Sequence, residues 1–208
     1  MFFEPEKCQR DIENFKSTMY DCLFQLKSAG LDLFTILYDS WCSPRAVEFS
    51  KKYSSSLYYM TVGDFQFKID TIYQNMIVAY NTIARANNYP ELPFDGMISG
   101  DLSGDFGTLR EYDSNYAVGM NINVVKQAVN EYQNTVKSVC NIISNYNFGL
   151  AFHDDKGLLI SAQQILKKKV ESISENIGTV FNDLNVYTQY ESNRVDLAAS
   201  QAADTMSA

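Results

Sequence analysis

Few residues of this sequence could do chemistry by type and spacing. The only histidine is His153, which stands beside Asp154 and Asp155. A carboxylate can orient a histidine as a general base, but a catalytic triad also needs a placed nucleophile and an oxyanion hole, and the sequence singles out neither. The sequence also has no GxxxxGK phosphate loop, no HExxH zinc motif and no GxSxG motif. We therefore expect no enzymatic activity and no catalytic residues, and interpret His153 as a surface residue of a loop.

A second candidate for chemistry is the segment from Asp95 to Asp105, which has aspartates between glycines. A calcium loop needs acidic residues at alternating positions and a final bidentate glutamate, and this segment has neither. Its glycines and aspartates are typical of turns. We interpret it as a turn-rich connector and predict no metal site and no cofactor.

The four cysteines show no CxxC spacing, which makes a zinc site improbable. Cys8 and Cys22 are fourteen residues apart on one predicted helix, or about 21 Å at the helical rise, which is far beyond disulfide reach. We interpret them as reduced thiols. A bridge from Cys42 to Cys8 or Cys140 stays open at this point.

The balance of charge argues against a nucleic-acid partner. The formal net charge is -8, and a polyanion would have to be met by a concentrated basic face. The one basic cluster is Lys167-Lys168-Lys169. Three consecutive lysines on a helix point in different directions, so we interpret them as a solvated face rather than a phosphate or lipid site.

Hydrophobic spacing predicts that these residues are carried on long helices. Steps of three and four residues place apolar side chains on one stripe of a helix. In the first half of the chain the stripe consists of Ile12, Phe15, Met19, Cys22, Leu26, Ala29, Leu33 and Ile36, and after a break of Ala46, Phe49, Tyr53, Leu57, Phe65, Ile69, Ile72, Met76, Ala79 and Ile83. We predict helices over about 5–38 and 44–88. The stripe skips a residue near Gly63, where we expect a local change of supercoil or a slight bend.

The second half repeats this arrangement. Two further stripes run from Ile122 to Tyr146 and from Leu159 to Tyr187, with a glycine-containing loop over 147–157 between them. The fold class predicted is all-α, with two long antiparallel helical hairpins in tandem forming an elongated four-helix bundle. The predicted organisation is a first hairpin over 1–88, a Gly/Pro/Asp linker over 89–113, a second hairpin over 114–195 and a flexible tail over 196–208. We expect the apolar residues of the linker to pack on the helices.

The break near residue 41 is the most specific local signal. It contains the only tryptophan, Trp41, followed by Ser43 and Pro44. Serine is a good N-cap, and proline suits the first helical position because its missing N–H has no intrahelical partner there. The sequence therefore predicts a tight hairpin turn.

A hairpin of long helices with Trp41, Ser43, Ala46 and Phe49 at its turn resembles the WxG-motif proteins, the small substrates of bacterial type VII secretion related to the early secreted antigens. Ser43 stands where the family usually has glycine. The resemblance covers about the first 90 residues. It implies a non-enzymatic secreted or secretion-associated protein whose partner is a secretion ATPase or another helical hairpin protein.

The same resemblance implies an export motif of tyrosine followed four residues later by an acid. Tyr187 and Glu191 have this spacing near the end of the last helix. Tyr187 also continues the apolar stripe, which favours a core position. If the hairpins pair antiparallel, Trp41 and Tyr187 lie toward the same end of the bundle. The resemblance then predicts that Trp41→Ala or Tyr187→Ala abolishes export with helicity nearly unchanged.

Two other functions stay open. One is a helical scaffold, adaptor or phage structural protein, for which Trp41 only plugs the end of the hairpin. The other is a membrane-active helical toxin, which the charged tip His153-Asp154-Asp155-Lys156 and the lack of any apolar run of about 18 residues disfavour. The start of the sequence has no basic segment followed by an apolar one, so we expect secretion without a cleaved signal peptide, with a cytoplasmic location as the alternative.

Overall fold

The computed structural model describes residues 4–95, 104–111, 119–148 and 156–206, and the predicted all-α class is confirmed. Short strands and a π-helical turn interrupt the helices. In chain order the elements are α1 Pro5–Ser40, β1 Trp41–Cys42, α2 Pro44–Tyr58, the π-helical turn Tyr59–Gly63, α3 Asp64–Ala86, β2 Gly119–Met120, α4 Ile122–Ser144 and α5 Lys156–Met206. In this part of the chain, no helix is both long and apolar enough to cross a membrane.

The helices fold back on each other in two pairs. Only three residues connect α1 to α2, and the rings of Phe34 and Phe49 stack across this pair with centroids 6.2 Å apart. In the second pair, Tyr132 of α4 meets Phe181 of α5 edge-on, with ring centroids 5.8 Å apart. Phe49 and Tyr132 belong to the predicted apolar stripes, whereas Phe34 and Phe181 each lie one residue after a stripe position. The buried face of each helix is therefore wider than the predicted stripe.

Contacts divide the chain into two compact units. Unit 1 consists of Met1–Lys27, Met60–Ser103 and Val136–Ile173, and unit 2 of Ser28–Tyr59, Gly104–Thr135 and Ser174–Ala208. Each unit therefore takes a segment from α1, from the α2–α3 stretch, from α4 and from α5. The units do not follow the order of the hairpins along the chain, because a long helix contributes its two ends to different cores.

The break near Gly63 is a π-helical turn over Tyr59–Gly63. A π-helical turn has i→i+5 hydrogen bonds and fits an extra residue into the helix. The apolar stripe resumes one residue later for this reason. The position of the phase change predicted from the sequence is confirmed.

Two boundaries differ from the prediction. The second half begins with β2, which pairs antiparallel with β1 so that Trp41 lies opposite Met120, and α4 starts only at Ile122. Asn121 explains this start, because its N–H donates to the carbonyl of Ser40 at 2.8 Å and its Oδ1 accepts from the N–H of Val124 at 3.4 Å. A side-chain acceptor at this place is an N-cap.

Where the sequence predicted a flexible tail over 196–208, the structure continues α5 as helix through residues 196–206. Every side chain from Asp196 to Ala202 is exposed, so packing within the chain does not explain this helix. The four alanines of residues 196–206 explain the helix, because alanine has the highest helix propensity.

Part of the predicted linker packs as expected. In unit 2, Phe106 is buried and its ring lies 5.7 Å from the ring of Phe34 and 5.1 Å from that of Tyr58. A Cβ atom on Gly30 would come within 2.2 Å of the Phe106 ring, which explains a glycine inside α1. In unit 1, Phe94 is half exposed and lies 6.2 Å from Tyr73. Leu109 of the linker is buried as well, and Met97, Ile98 and Leu102 lie outside the described residues.

Candidate functional site

One serine side chain holds the turn between α1 and α2 in unit 2. Ser43 has an extended backbone (φ -164°, ψ 164°) and is the N-cap of α2. Its Oγ accepts a hydrogen bond from the Ala46 N–H at 3.3 Å and another from the indole Nε1–H of Trp41 at 2.9 Å. Pro44 occupies the first helical position, as predicted. Three residues of the predicted turn motif are thus linked through a single hydroxyl.

The indole of Trp41 is the centre of an aromatic cluster. Trp41 is 1% exposed, and its ring centroid lies 5.7 Å from that of Phe49 and 5.9 Å from that of Tyr187. Phe49 and Tyr187 also meet edge-on at 6.1 Å. Such contacts each add about 0.5–1.5 kcal/mol beyond the burial of apolar area. The structure therefore brings Trp41 and Tyr187 together, as we expected if the hairpins pair antiparallel.

The two residues of the predicted export motif both point inward. Tyr187 is buried, and this burial is the main cause that raises the pKa of its hydroxyl. The Glu191 side chain is 2% exposed and forms an ion pair with Arg194, with 3.2 Å between Oε2 and Nε. Neither atom has a hydrogen bond within the described chain. Glu191 is thus paired along its own helix and is not part of the aromatic cluster.

The exposed rim of the cluster contains residues that the sequence analysis missed. The guanidinium carbon of Arg45 lies 3.9 Å from the ring centroid of Tyr190 and 5.9 Å from that of Tyr187. This is cation–π geometry. Tyr190 is 48% exposed and Val186 is 67% exposed. Within the described residues Arg45 forms no ion pair, so its charge stays available at the rim.

A polar contact joins α2 and α5 further along the two helices. The Asp183 carboxylate accepts hydrogen bonds from Lys52 Nζ at 2.7 Å and from the hydroxyl of Tyr53. The hydrogen bond from Lys52 is the main cause that lowers the pKa of Asp183. Burial is the main cause that raises the pKa of Tyr53. Lys52 and Asp183 are both substantially exposed, so this pair aligns α2 with α5 more than it stabilises the fold.

A signal for these missed residues exists in the spacing. Arg45, Phe49 and Lys52 lie on one face of α2 by steps of four and three, and Asp183, Tyr187 and Tyr190 do the same on α5. The two faces are complementary. At one end a cation of α2 lies opposite an aromatic ring of α5, and at the other end a second cation of α2 lies opposite a carboxylate of α5. Reading this match requires knowing that α2 and α5 are neighbours, which the sequence of one helix does not reveal.

Comparison with known proteins gives this site no precedent. No family model, no curated protein and no solved structure matches the chain.

Metal-binding residue types form no cluster in the part of the chain that the structure describes. No group of three or more histidine, cysteine, aspartate or glutamate side chains is placed there to hold a metal ion. His153 and its two aspartates lie outside the described residues. None of the four cysteines forms a disulfide bond within the described residues, and burial is the main cause that raises the pKa of Cys22 to about 11. What the site offers is a packed aromatic cluster with a polar, aromatic rim, which suits contact with another protein.

Proposed function

We propose that this chain is a non-enzymatic helical-hairpin protein of a bacterial type VII secretion system, either exported by it or acting with exported proteins. The contact between Trp41 and Tyr187, with 5.9 Å between ring centroids, carries the proposal. The WxG-like turn and the tyrosine of the export motif are far apart in sequence. Their contact supports a composite signal, in which the turn of one hairpin and the last helix of the other are recognised together.

Burial of Tyr187 and Glu191 bears on how such a signal would be read. Side chains that are nine-tenths buried offer almost no surface to a partner. We infer that Trp41, Tyr187 and Glu191 position the end of α5, and that the partner touches the rim made by Arg45, Val186 and Tyr190. An aromatic ring under an arginine is typical of residues that contribute most to protein interfaces. The partner would be the secretion ATPase or another helical hairpin protein.

The decisive experiment measures the protein in culture supernatant of its native host, with and without a working type VII secretion ATPase. A cytoplasmic marker controls for lysis. We expect the protein outside the cell only when the ATPase works. Retention inside in both strains would overturn the proposal and leave the helical scaffold as the better description.

Variants then test the buried cluster and its exposed rim one at a time. Trp41→Ala and Tyr187→Ala are expected to abolish export with helicity nearly unchanged. Tyr190→Ala tests the rim without touching the core, and we expect at least a tenfold loss of export. The matched control is Tyr20→Ala, which removes a tyrosine of similar exposure, 42%, from α1 and should export normally. Equal export of the Tyr190 and Tyr20 variants would show that the rim is not recognised.

A further inference from the structure

The π-helical turn has a consequence for the charges of unit 1. A π-helical turn shifts the hydrogen-bond ladder by one residue and leaves a carbonyl to be satisfied from outside, and such turns occur frequently at functional sites. Here the carbonyl of Met60 accepts a hydrogen bond from Lys169 Nζ at 2.7 Å. Asp64, in the first turn of α3, accepts a second from the same Nζ at 2.6 Å. Lys169 is therefore not part of a solvated face, which corrects the interpretation of Lys167–Lys169 for this residue.

The position of Lys169 is unusual for a lysine. Its side chain is 3% exposed, and lysine is almost never fully buried unless it is paired. An ammonium group has three N–H donors. Two of them serve Met60 and Asp64, and within the described chain the third has no acceptor. A buried cation with an unused donor is a group that a ligand anion could complete.

Lys169 lines a groove between α3 and α5. The groove has a volume of about 370 Å³ and lies within unit 1. The residues that line it are four apart or three apart on each helix, so they form two facing strips. Besides Asp64 and Lys169, the strips comprise Phe67, Lys68, Thr71, Ile165, Lys168 and Ser172.

The charge in this groove is opposite to that of the whole protein. The chain has a net charge of -8, yet the groove contains three lysines and one carboxylate, and Lys169 already holds that carboxylate. In the described part of the chain, neither Lys68 nor Lys168 forms an ion pair. Opposed cations in a concave site attract an anion more strongly than the same charges spread over a surface.

The groove also has an apolar side. Phe67 is 64% exposed, with Lys68 Nζ 5.5 Å from its ring centroid, and Ile165 is half-buried on the facing helix. The hydroxyl of Thr71 is used, since it donates to the carbonyl of Phe67 at 2.9 Å. The site thus presents ammonium groups on one hand and an aromatic ring on the other.

We propose that this groove binds an organic oxyanion, a phosphate or carboxylate carried on a small apolar group. The oxyanion would lie between Lys68 and Lys168 and accept the third hydrogen bond of Lys169, and the apolar group would pack on Phe67 and Ile165. The ammonium group of lysine is a compact positive charge that binds phosphate and carboxylate alike. The volume of about 370 Å³ lies at the lower end of the range of small-ligand pockets. This site is independent of the Trp41 turn and of secretion.

The test is isothermal titration of the purified full chain with phenyl phosphate, benzoate, inorganic phosphate and, as a neutral probe, phenol. We expect phenyl phosphate to bind with one-to-one stoichiometry. Lys68→Gln and Lys168→Gln should each weaken binding about tenfold, or about 1.4 kcal/mol. Benzoate binding more tightly than phenyl phosphate would assign a carboxylate ligand, and weaker benzoate binding a phosphate. If inorganic phosphate bound as tightly as phenyl phosphate, the proposed packing of an apolar group on Phe67 and Ile165 would be overturned.

Lys167→Gln is the matched control, because it removes the same charge from an adjacent exposed position outside this groove. It should change the affinity less than twofold. Equal weakening by Lys167→Gln would mean that the protein attracts the anion only by general charge, and absence of binding by any probe would overturn the proposal outright.

Asp64→Asn gives a second readout that does not depend on Lys68 and Lys168. This change leaves the buried ammonium of Lys169 without a counter-charge, and a bound anion would replace it. We expect phenyl phosphate to raise the Tm of the Asp64→Asn protein more than that of the unchanged protein, because a ligand stabilises the state that it binds. A smaller rise in the variant would contradict contact between the anion and Lys169.

Discussion

The Trp41 turn of unit 2 and the π-helical turn that leads into unit 1 both interrupt the periodicity of a helix, and they are stabilised in opposite ways. At the Trp41 turn, the hydrogen bonds join residues two and three positions apart. At the π-helical turn, the carbonyl of Met60 is satisfied by a lysine 109 positions later in the sequence. The first is a local solution with neutral groups, and the second is a distant solution with a buried charge.

This difference shows which features of a helical protein can be inferred from a short stretch of sequence. A cap needs a serine and a proline at fixed offsets, so its residues specify it by themselves. A π-helical turn shows only as a skipped residue in the apolar stripe, and the group that completes it can come from any helix that packs nearby. The distant solution also places an ammonium group where a ligand could reach it, which the local one does not.

The largest effect should come from the centre of the aromatic cluster. Trp41→Ala removes a ring that is 1% exposed and leaves a cavity beside Phe49 and Tyr187, so we expect the free energy of unfolding to fall by about 3–5 kcal/mol. Urea denaturation followed by circular dichroism measures this. The control Phe24→Ala, at a ring that is 59% exposed, should cost far less. Similar losses in both variants would show that the Trp41 ring is not a core residue.

The next largest effect should come from the lysine that donates to the carbonyl of the π-helical turn. Lys169→Met keeps the length of the side chain and removes the ammonium, which leaves the Met60 carbonyl without its donor, and we expect a loss of roughly 2–3 kcal/mol. Lys168→Met is the control, because Lys168 is exposed one position earlier. In the double variant Lys169→Met with Asp64→Asn, the loss of stability should be smaller than the sum of the losses in the two single variants, since the two side chains form one pair. Full additivity would mean that the pair is not coupled.

A smaller effect is expected at the cap. Ser43→Ala removes the acceptor for both the Ala46 N–H and the indole N–H, and we expect a loss of roughly 1–2 kcal/mol. Ser55→Ala, at an exposed position of the same helix, is the control and should be nearly neutral. If Ser43→Ala cost more than Lys169→Met, the contrast between local and distant solutions would be reversed in energy.

The smallest effect is a dependence on pH at the edge of the aromatic cluster. Lys52 and Tyr53 lower the pKa of Asp183 in the folded protein. A lowered pKa means that this contribution to stability is fully present above the pKa of an unfolded aspartate, about 4, and is lost as the pH falls through the folded value. Asp183→Asn should therefore reduce the loss of Tm on acidification slightly. An unchanged acid dependence would show that the contact has no energetic role.

Much of the fold could be predicted, because long apolar stripes and a capped turn are local features. The first helix was expected over about 5–38 and extends over Pro5–Ser40, and Ser43 with Pro44 begins α2 as expected. The pairing of β1 with β2 could not be predicted, since a strand of two residues has no periodicity. The helix after Asp196 was missed because its alanines were read as a small-residue tail instead of strong helix formers.

The candidate site was predicted in part. Trp41, Ser43 and Phe49 were identified from their place at the turn, and the meeting with Tyr187 followed from antiparallel packing. Arg45 and Tyr190 were missed, because their contact depends on which faces of α2 and α5 meet. The inward orientation of Glu191 was missed as well, since an acid at the end of a stripe is usually exposed and here it is buried with Arg194 beside it.

The single tryptophan gives this protein a built-in optical probe. Trp41 is the only indole in the sequence and lies buried against Tyr187, so its fluorescence reports on the contact between the hairpin turn and α5 without any label. Separation of the end of α5 would expose the indole to water and shift its emission to longer wavelength. Docking of a partner on the rim and loss of the contact beneath it could then be timed in the same cuvette.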